Sequence, residues 1–142
     1  MHQIESLGLA EAKAIAEAAL AAAAKTIGKP ECVAVVDPHG MLICYEAMDG
    51  CVPFNQLMAI RKASFAAQIG ADTSMLSMGF KAMGRLVSDF GPAEATNVPG
   101  GLAVRKSDTG PTGPVLAGIG TSGRTADEDD AIARAGLRAI KL

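Results

Sequence analysis

The stretch Gly118-Ile119-Gly120-Thr121-Ser122-Gly123-Arg124-Thr125-Ala126-Asp127-Glu128-Asp129-Asp130 decides between two folds. Formally it is G-x-G-x-x-G after an apolar, strand-like run, Val115 to Ile119, and before a helix, which is the dinucleotide-binding fingerprint. That fingerprint needs a further strand and, about 20 residues on, an acid to hold the ribose. Only Arg138 and Lys141 stand at that distance before Leu142. The helix also opens on four carboxylates, which would repel a pyrophosphate from its N-terminus. The segment therefore reads as a last strand running into a capped helix. Thr125 and, three places later, Glu128 form a capping box. The acids at the start and Arg134, Arg138 and Lys141 at the end complement the helix dipole.

Upstream of this segment, the pattern predicts three more helices and three more strands. A first helix is expected from Leu9 to Ile27, with Gly8 as N-cap, Gly28 and Pro30 as stop signals, and an apolar face of Leu9, Ala12, Ala16, Leu20, Ala23 and Ile27. Cys32 to Val36 and Met41 to Met48 are apolar runs joined by Asp37-Pro38-His39-Gly40, a β-hairpin. Helices are expected over Phe54 to Ile69, after the bend from Met48 to Pro53, and over Ser74 to Val87, capped by Asp72, Thr73 or Ser74. A loop from Ser88 to Gly101, with turns at Gly91-Pro92 and Pro99-Gly100-Gly101, leads into a strand from Leu102 to Lys106. Ser107 to Pro114 is a turn, and Val115 to Thr121 runs back as the last strand. Hairpins make antiparallel pairs, so the fold class is α+β, a central antiparallel sheet with helices packed on it in a profilin-like, three-layer arrangement. Gly118 and Gly120 leave one face of the last strand bare, for a close helix or for a ligand.

Composition narrows the function classes. At 142 residues and 49% hydrophobic, the chain fits a single domain, residues 1–142. With no Trp, one Tyr, four Phe and seven Met, its core is built from small and adaptable side chains. A net charge of -2 with both signs interspersed gives no basic patch for nucleic acid and no cationic face for a membrane. No basic n-region and apolar h-region open the sequence, so a cytoplasmic location is expected. Cys32, Cys44 and Cys51 lack C-x-x-C spacing and read as buried thiols.

Lys62 is the sharpest candidate for chemistry, because it falls within a helical stripe of Phe54, Met58, Phe65 and Ile69. A Lys there either snorkels its ammonium to water or buries it with a carboxylate or anionic ligand, where burial tunes it toward general-base use. Glu46, sharing a strand face with Cys44, is a candidate partner or base for Lys62, and otherwise an exposed strand carboxylate; Asp49 lies in the bend just beyond. Arg61 is placed to grip a carboxylate or propionate bidentately, or to make a surface or interface ion pair. In Thr96-Asn97-Val98-Pro99-Gly100-Gly101, backbone N–H groups either cradle an anion or simply form a tight strand entry. Met58, with Met75, Met78 and Met83, lines either a cofactor pocket or a core and oligomer interface. His39 sits at a turn tip and His2 near a terminus, so His ligation of haem or zinc within one subunit is not expected, and no metal site is assigned. Ser122 lacks the G-x-S-x-G setting of a nucleophile elbow.

Several motifs together resemble the GlcG/HbpS family across nearly the whole chain: Val35-Val36-Asp37-Pro38-His39-Gly40-Met41-Leu42, Glu46-Ala47-Met48-Asp49-Gly50, Lys62-Ala63-Ser64-Phe65-Ala66-Ala67, Pro99-Gly100-Gly101, and Gly118 to Gly123 with Asp127-Glu128 and Ala131 to Leu137. Each is weak alone; their order and spacing are specific. That family includes proteins encoded beside glycolate oxidase genes, secreted haem-binding proteins and the C-terminal domain of PduO-type corrinoid adenosyltransferases. The resemblance implies a profilin-like fold, symmetric homo-oligomers and an anionic small-molecule or cofactor ligand such as haem, a corrinoid or a small organic acid. An alternative is a cofactorless catabolic enzyme using Lys62 or Glu46 in proton transfer at a carbonyl or carboxylate substrate. The chain departs from the pattern at Cys51, where Ala is usual, at Glu46-Ala47 in place of the frequent Glu-Arg, and in the long turn from Ser107 to Pro114.

Overall fold

The computed structural model of the protein describes residues 1–91 and 94–142; Pro92 of the expected Gly91-Pro92 turn lies outside them, as does Ala93. Four strands, β1 (Cys32–Val36), β2 (Leu42–Ala47), β3 (Gly101–Arg105) and β4 (Val115–Ser122), form one sheet in the order β2-β1-β4-β3 with every neighbouring pair antiparallel. Helices α1 (Leu9–Ala24) and α4 (Ala126–Leu137) cover one face, and α2 (Pro53–Ile69) covers the other, with α3 (Thr73–Met83) following it. This is the three-layer α+β arrangement expected. β1 is buried along its whole length because both of its faces carry helices, which is why its sequence is an unbroken apolar run and not an alternating one.

The two faces differ in how closely their helices approach. Toward α1 and α4, Val33, Val35, Leu102, Val104 and Ile119 fill the space with branched side chains. Toward α2, Cys32, Ala34 and Val36 meet Ala59, Ala63 and Ala67. Gly118 and Gly120 face this same helix, and a methyl group on either would overlap the carbonyl oxygen of Ala63 or Ala59. The bare face of β4 is therefore taken by α2, backbone against backbone. That closeness rearranges the expected stripe: Phe54 and Ile69 are pushed out to 63% and 38% exposure, while Lys62 is buried among the alanines.

Helix ends depart from expectation where tertiary contacts intervene. α1 stops at Ala24 and not at Ile27, which is fully exposed. Arg124 reaches across from the far end of β4 and donates to the Ala23 carbonyl at 2.9 Å and to Thr26 Oγ1 at 2.7 Å, satisfying groups at the helix end. The buried face of α1 is Ala12, Ile15, Ala16, Ala19 and Ala23, so Leu9 stays outside. α3 ends at Met83 because Gly84 takes the left-handed conformation, φ 62°, and its N–H turns back to Phe80 and Lys81. Val87–Phe90 is then a separate 3-10 turn whose Phe90 stacks on Phe80. α4 opens on the expected capping box, Glu128 N–H to Thr125 Oγ1 and Thr125 N–H to the Glu128 carboxylate. Gly136 lets α4 lie against Ile15 and Ala19 of α1.

Candidate functional site

Where β1 begins and β4 finishes, charged residues from several elements converge. Lys62, on the sheet-facing side of α2, is 1% exposed, and its side chain passes the end of β4 to reach the first turn of α4. There its ammonium donates to Asp129 Oδ2 at 2.7 Å and to the Thr121 carbonyl at 2.8 Å. Asp129 Oδ1 accepts the backbone N–H of Arg124 at 3.0 Å. Asp129 shares the inward face of α4 with Ile132, Ala133 and Gly136, a spacing of three, four and seven that marks it as the one acid of its run turned into the protein. The acids beside it complement the dipole; this one is a partner.

Glu31 completes the cluster. It stands immediately before β1, is fully buried, and neither carboxylate oxygen has a hydrogen-bond donor among the described residues. The Arg124 guanidinium comes no closer than 4.0 Å, being held instead by the carbonyls of Ala23 and Lys29 and the hydroxyl of Thr26. Burial, reinforced by the negative charge of Asp129, pushes the Glu31 carboxyl up to about 8, against the pull of Lys62 and Arg124. Asp129 is also pushed up, by burial first, but the Lys62 ammonium and the Arg124 N–H favour its ionised form. A proton held between the two carboxyls therefore resides on Glu31.

Beside the cluster opens a cleft of about 620 Å³, a volume typical of small-molecule sites, roughly 300 to 1,000 Å³. Lys62, Asp129 and Ser122 lie at its floor; Val52, Phe54, Met58 and Val98 give it an apolar wall, and Lys29 stands at its rim. The site thus combines an apolar surface with a deep ammonium and a superficial one.

Of the residues singled out in the sequence, Lys62 and Met58 line this cleft. The pairing of Lys62 with Glu46, one of the two readings of that glutamate, does not form. Glu46 pairs in register with Val33, whose side chain packs toward α1, so Glu46 and Cys44 do share a face but on the opposite side of the sheet from α2. Asp49 is exposed in the bend beside Gly50, which lines the cleft; Asn97 is half-buried beside Val98; Arg61 is half-buried on α2 and makes no ion pair among the described residues. Gly100 and Gly101 form a tight strand entry: the Gly101 N–H donates to Thr73 Oγ1 at 2.9 Å and the Gly100 carbonyl accepts from Thr121 N–H. Gly100 has φ +114°, and a Cβ there would lie 3.0 Å from Lys62 Nζ, so the glycine pair serves the close packing around Lys62. His39 sits with its carbonyl against Gln68, ten residues and hence about 15 Å along α2 from Met58 of the cleft wall. Cys32, Cys44 and Cys51 are free thiols, Cys32 buried and the other two half-buried. No helix among the described residues is long and apolar enough to cross a membrane.

The chain matches the family model for haem degrading protein HbpS-like over residues 7–138. Among solved structures, a double mutant of Streptomyces reticuli HbpS is 30% identical, with a TM-score of 0.85 over 100% of this chain and 92% of that one. PduOC in complex with haem is 23% identical, TM-score 0.83, with 95% of each chain covered. ORFY of Klebsiella pneumoniae is 22% identical, TM-score 0.83, covering 98% of this chain and 93% of that one. No curated protein matches the chain. The match spans the sheet, all four helices and every residue of the cluster around Lys62, and the chain belongs to the HbpS-like family.

Proposed function

We propose that this protein is a cofactor-binding accessory protein that holds haem, or a similarly shaped anionic macrocycle, in the cleft beside Lys62, and that it acts as a homo-oligomer. The cleft itself carries the proposal: it joins an apolar wall to cationic groups at rim and floor, the polarity of a flat hydrophobic ring bearing carboxylates. The family description, haem degrading protein HbpS-like, and the haem complex of PduOC support the same ligand. Phe54, Met58 and Val98 would hold the ring and Lys29 a propionate. The donor set fits the ring better than a histidine-ligated iron, since the soft donor on the wall is the Met58 thioether and His39 lies up the helix. Bound haem would supply iron redox chemistry; the chain supplies the slot and the charge. A corrinoid or a small organic acid would use the same cationic groups.

The exposed apolar surface of α3 and the turn after it supports assembly. Met75, Met78, Met83 and Leu86 stand 60%, 67%, 63% and 68% exposed, apolar side chains that a second copy of the chain could cover. The test is a haemin titration followed by Soret absorbance on the species isolated by sedimentation. Saturable binding at fixed stoichiometry on an oligomer is expected, weakened about tenfold or more by Met58→Ala or Lys29→Glu, with His39→Ala unchanged. A monomer, or a Soret change that never saturates, overturns the proposal.

A proton-transfer enzyme is the second reading, and it rests on the Lys62–Asp129 pair at the cleft floor, with Asp129 in the place expected for Glu46. It predicts loss of a carbon-bound deuterium from an α-deuterated carbonyl acid into solvent, seen by NMR and abolished in Asp129→Asn. Retention of the label with intact protein removes this reading.

A further inference from the structure

Glu31 has no role in either reading. A fully buried carboxyl without a donor is costly if ionised and is tolerated if neutral, when its O–H can donate to the Asp129 carboxylate beside it, so the charge of the cluster depends on whether that proton is held. The groups that face it can be named element by element: Asp129 from α4, Lys62 from α2, Arg124 from the segment between β4 and α4, and Cys32 beside it at the start of β1. The Cys32 thiol is pushed up to about 12, chiefly by burial, and carries no charge at neutral pH. The balance of charge therefore lies among four groups. While Glu31 keeps its proton, Lys62 and Arg124, which both line the cleft, outweigh Asp129 and leave the site cationic. Once Glu31 ionises, the two carboxylates cancel the two cations.

The floor also has a donor to offer. An ammonium carries three N–H groups, and Lys62 uses two of them on Asp129 and Thr121. The Ser122 hydroxyl lines the same floor.

We propose that the floor of the cleft is a carboxylate subsite that accepts its anion only while Glu31 holds a proton, so that ligand and proton are bound together. The ligand class is a carboxylate attached to an apolar body, which the wall of Val52, Phe54, Met58 and Val98 receives. The inference deepens the cofactor-binding proposal and rests on its cleft. The carboxylate has two sources, a macrocycle propionate or a free organic acid, and the probes below separate them.

The experiment uses the whole protein, wild type and Glu31→Gln, at about pH 7 and about pH 9. The proton is read without ligand: the infrared difference between the two pH values contains the C=O band of a neutral carboxylic acid in wild type, and Glu31→Gln removes it. Ligand is read by calorimetry with three probes: sodium propionate, haemin and haemin dimethyl ester, which lacks free carboxylates. Wild type is expected to bind the carboxylate probes about tenfold more weakly at the higher pH, as loss of one nearby charge requires, and the ester equally at both. Glu31→Gln is expected to bind them equally at both values. Absence of the infrared band, or the same pH dependence in Glu31→Gln as in wild type, overturns the subsite whether or not haemin binds. Propionate bound with the expected dependence while haemin and its ester fail to bind supports the subsite and removes the macrocycle. Failure of every probe overturns both.

Discussion

Lys62→Met is expected to lower the stability of the protein by about 3–5 kcal/mol, a fall in melting temperature of roughly 10–20 °C for a chain of this size. The substitution keeps most of the side-chain volume and removes only the ammonium. What remains is a buried Asp129 whose Oδ2 has lost its donor, beside a buried Glu31 that never had one. The Thr121 carbonyl loses its donor as well. The cost comes from charge left unpaired, and the pair itself need not be strongly stabilising. Lys62→Met combined with Asp129→Asn should therefore recover most of the loss, because the second change removes the stranded charge. Thermal unfolding of the two single variants and the double variant gives the coupling directly. Additive losses in the double variant would mean that Lys62 matters for packing around Gly100 and Gly101 and not for its charge.

The stability of the wild type is expected to fall as pH rises from about 5 to about 9, and Glu31→Gln should flatten that slope. The sign follows from the direction in which burial moves the carboxyl. Glu31 ionises near 4.5 when unfolded and at about 8 when folded, so between those values the folded state holds a proton that the unfolded state has released. The stabilisation is complete below about 4.5, declines across the interval and is gone above about 8. Its size is on the order of 5 kcal/mol, because each tenfold difference in proton affinity between the two states is worth about 1.4 kcal/mol. Asp129 is moved in the same direction, so its contribution carries the same sign. Glutamine cannot ionise and can donate its amide N–H to Asp129, so Glu31→Gln should be the more stable protein in alkaline solution. Urea unfolding at both ends of the range checks this, and parallel curves for the two proteins would show that Glu31 releases its proton without difficulty.

The sequence makes some of this visible and hides the rest for physical reasons. The Thr125 to Glu128 capping box is local chemistry, complete within four residues, and it forms as expected. The hairpin of β1 and β2 is similarly local. Gly118 and Gly120 advertise a close approach, though not by what; only packing shows that α2 occupies it. Lys62 is conspicuous as a charge on an apolar stripe, but the sequence points to the nearest strand for its partner. The true partner lies 67 residues away, inside a run of acids that the helix dipole already explains. Its spacing with Ile132, Ala133 and Gly136 is the available signal. Glu31 gives none: after Pro30, at the mouth of a strand, a glutamate reads as a solvated residue, and only the arrival of α2 and α4 over it makes it buried. The end of α1 is hidden for a related reason, since the Arg124 that caps it comes from 101 residues downstream.

The sheet order has a consequence for how the protein is made. β1 sits in the middle, between β2, its neighbour in sequence, and β4, whose Ser122 meets Cys32 across 90 residues. At a synthesis rate of roughly 5–20 residues per second, β1 waits on the order of 5–20 seconds for that partner. During the wait α1 and α2 are already made and can cover its faces, but the run Cys32-Val33-Ala34-Val35-Val36, uncharged, valine-rich and without proline, presents one open edge. A strand that ends buried along its whole length thus spends its time on the ribosome with one edge to protect.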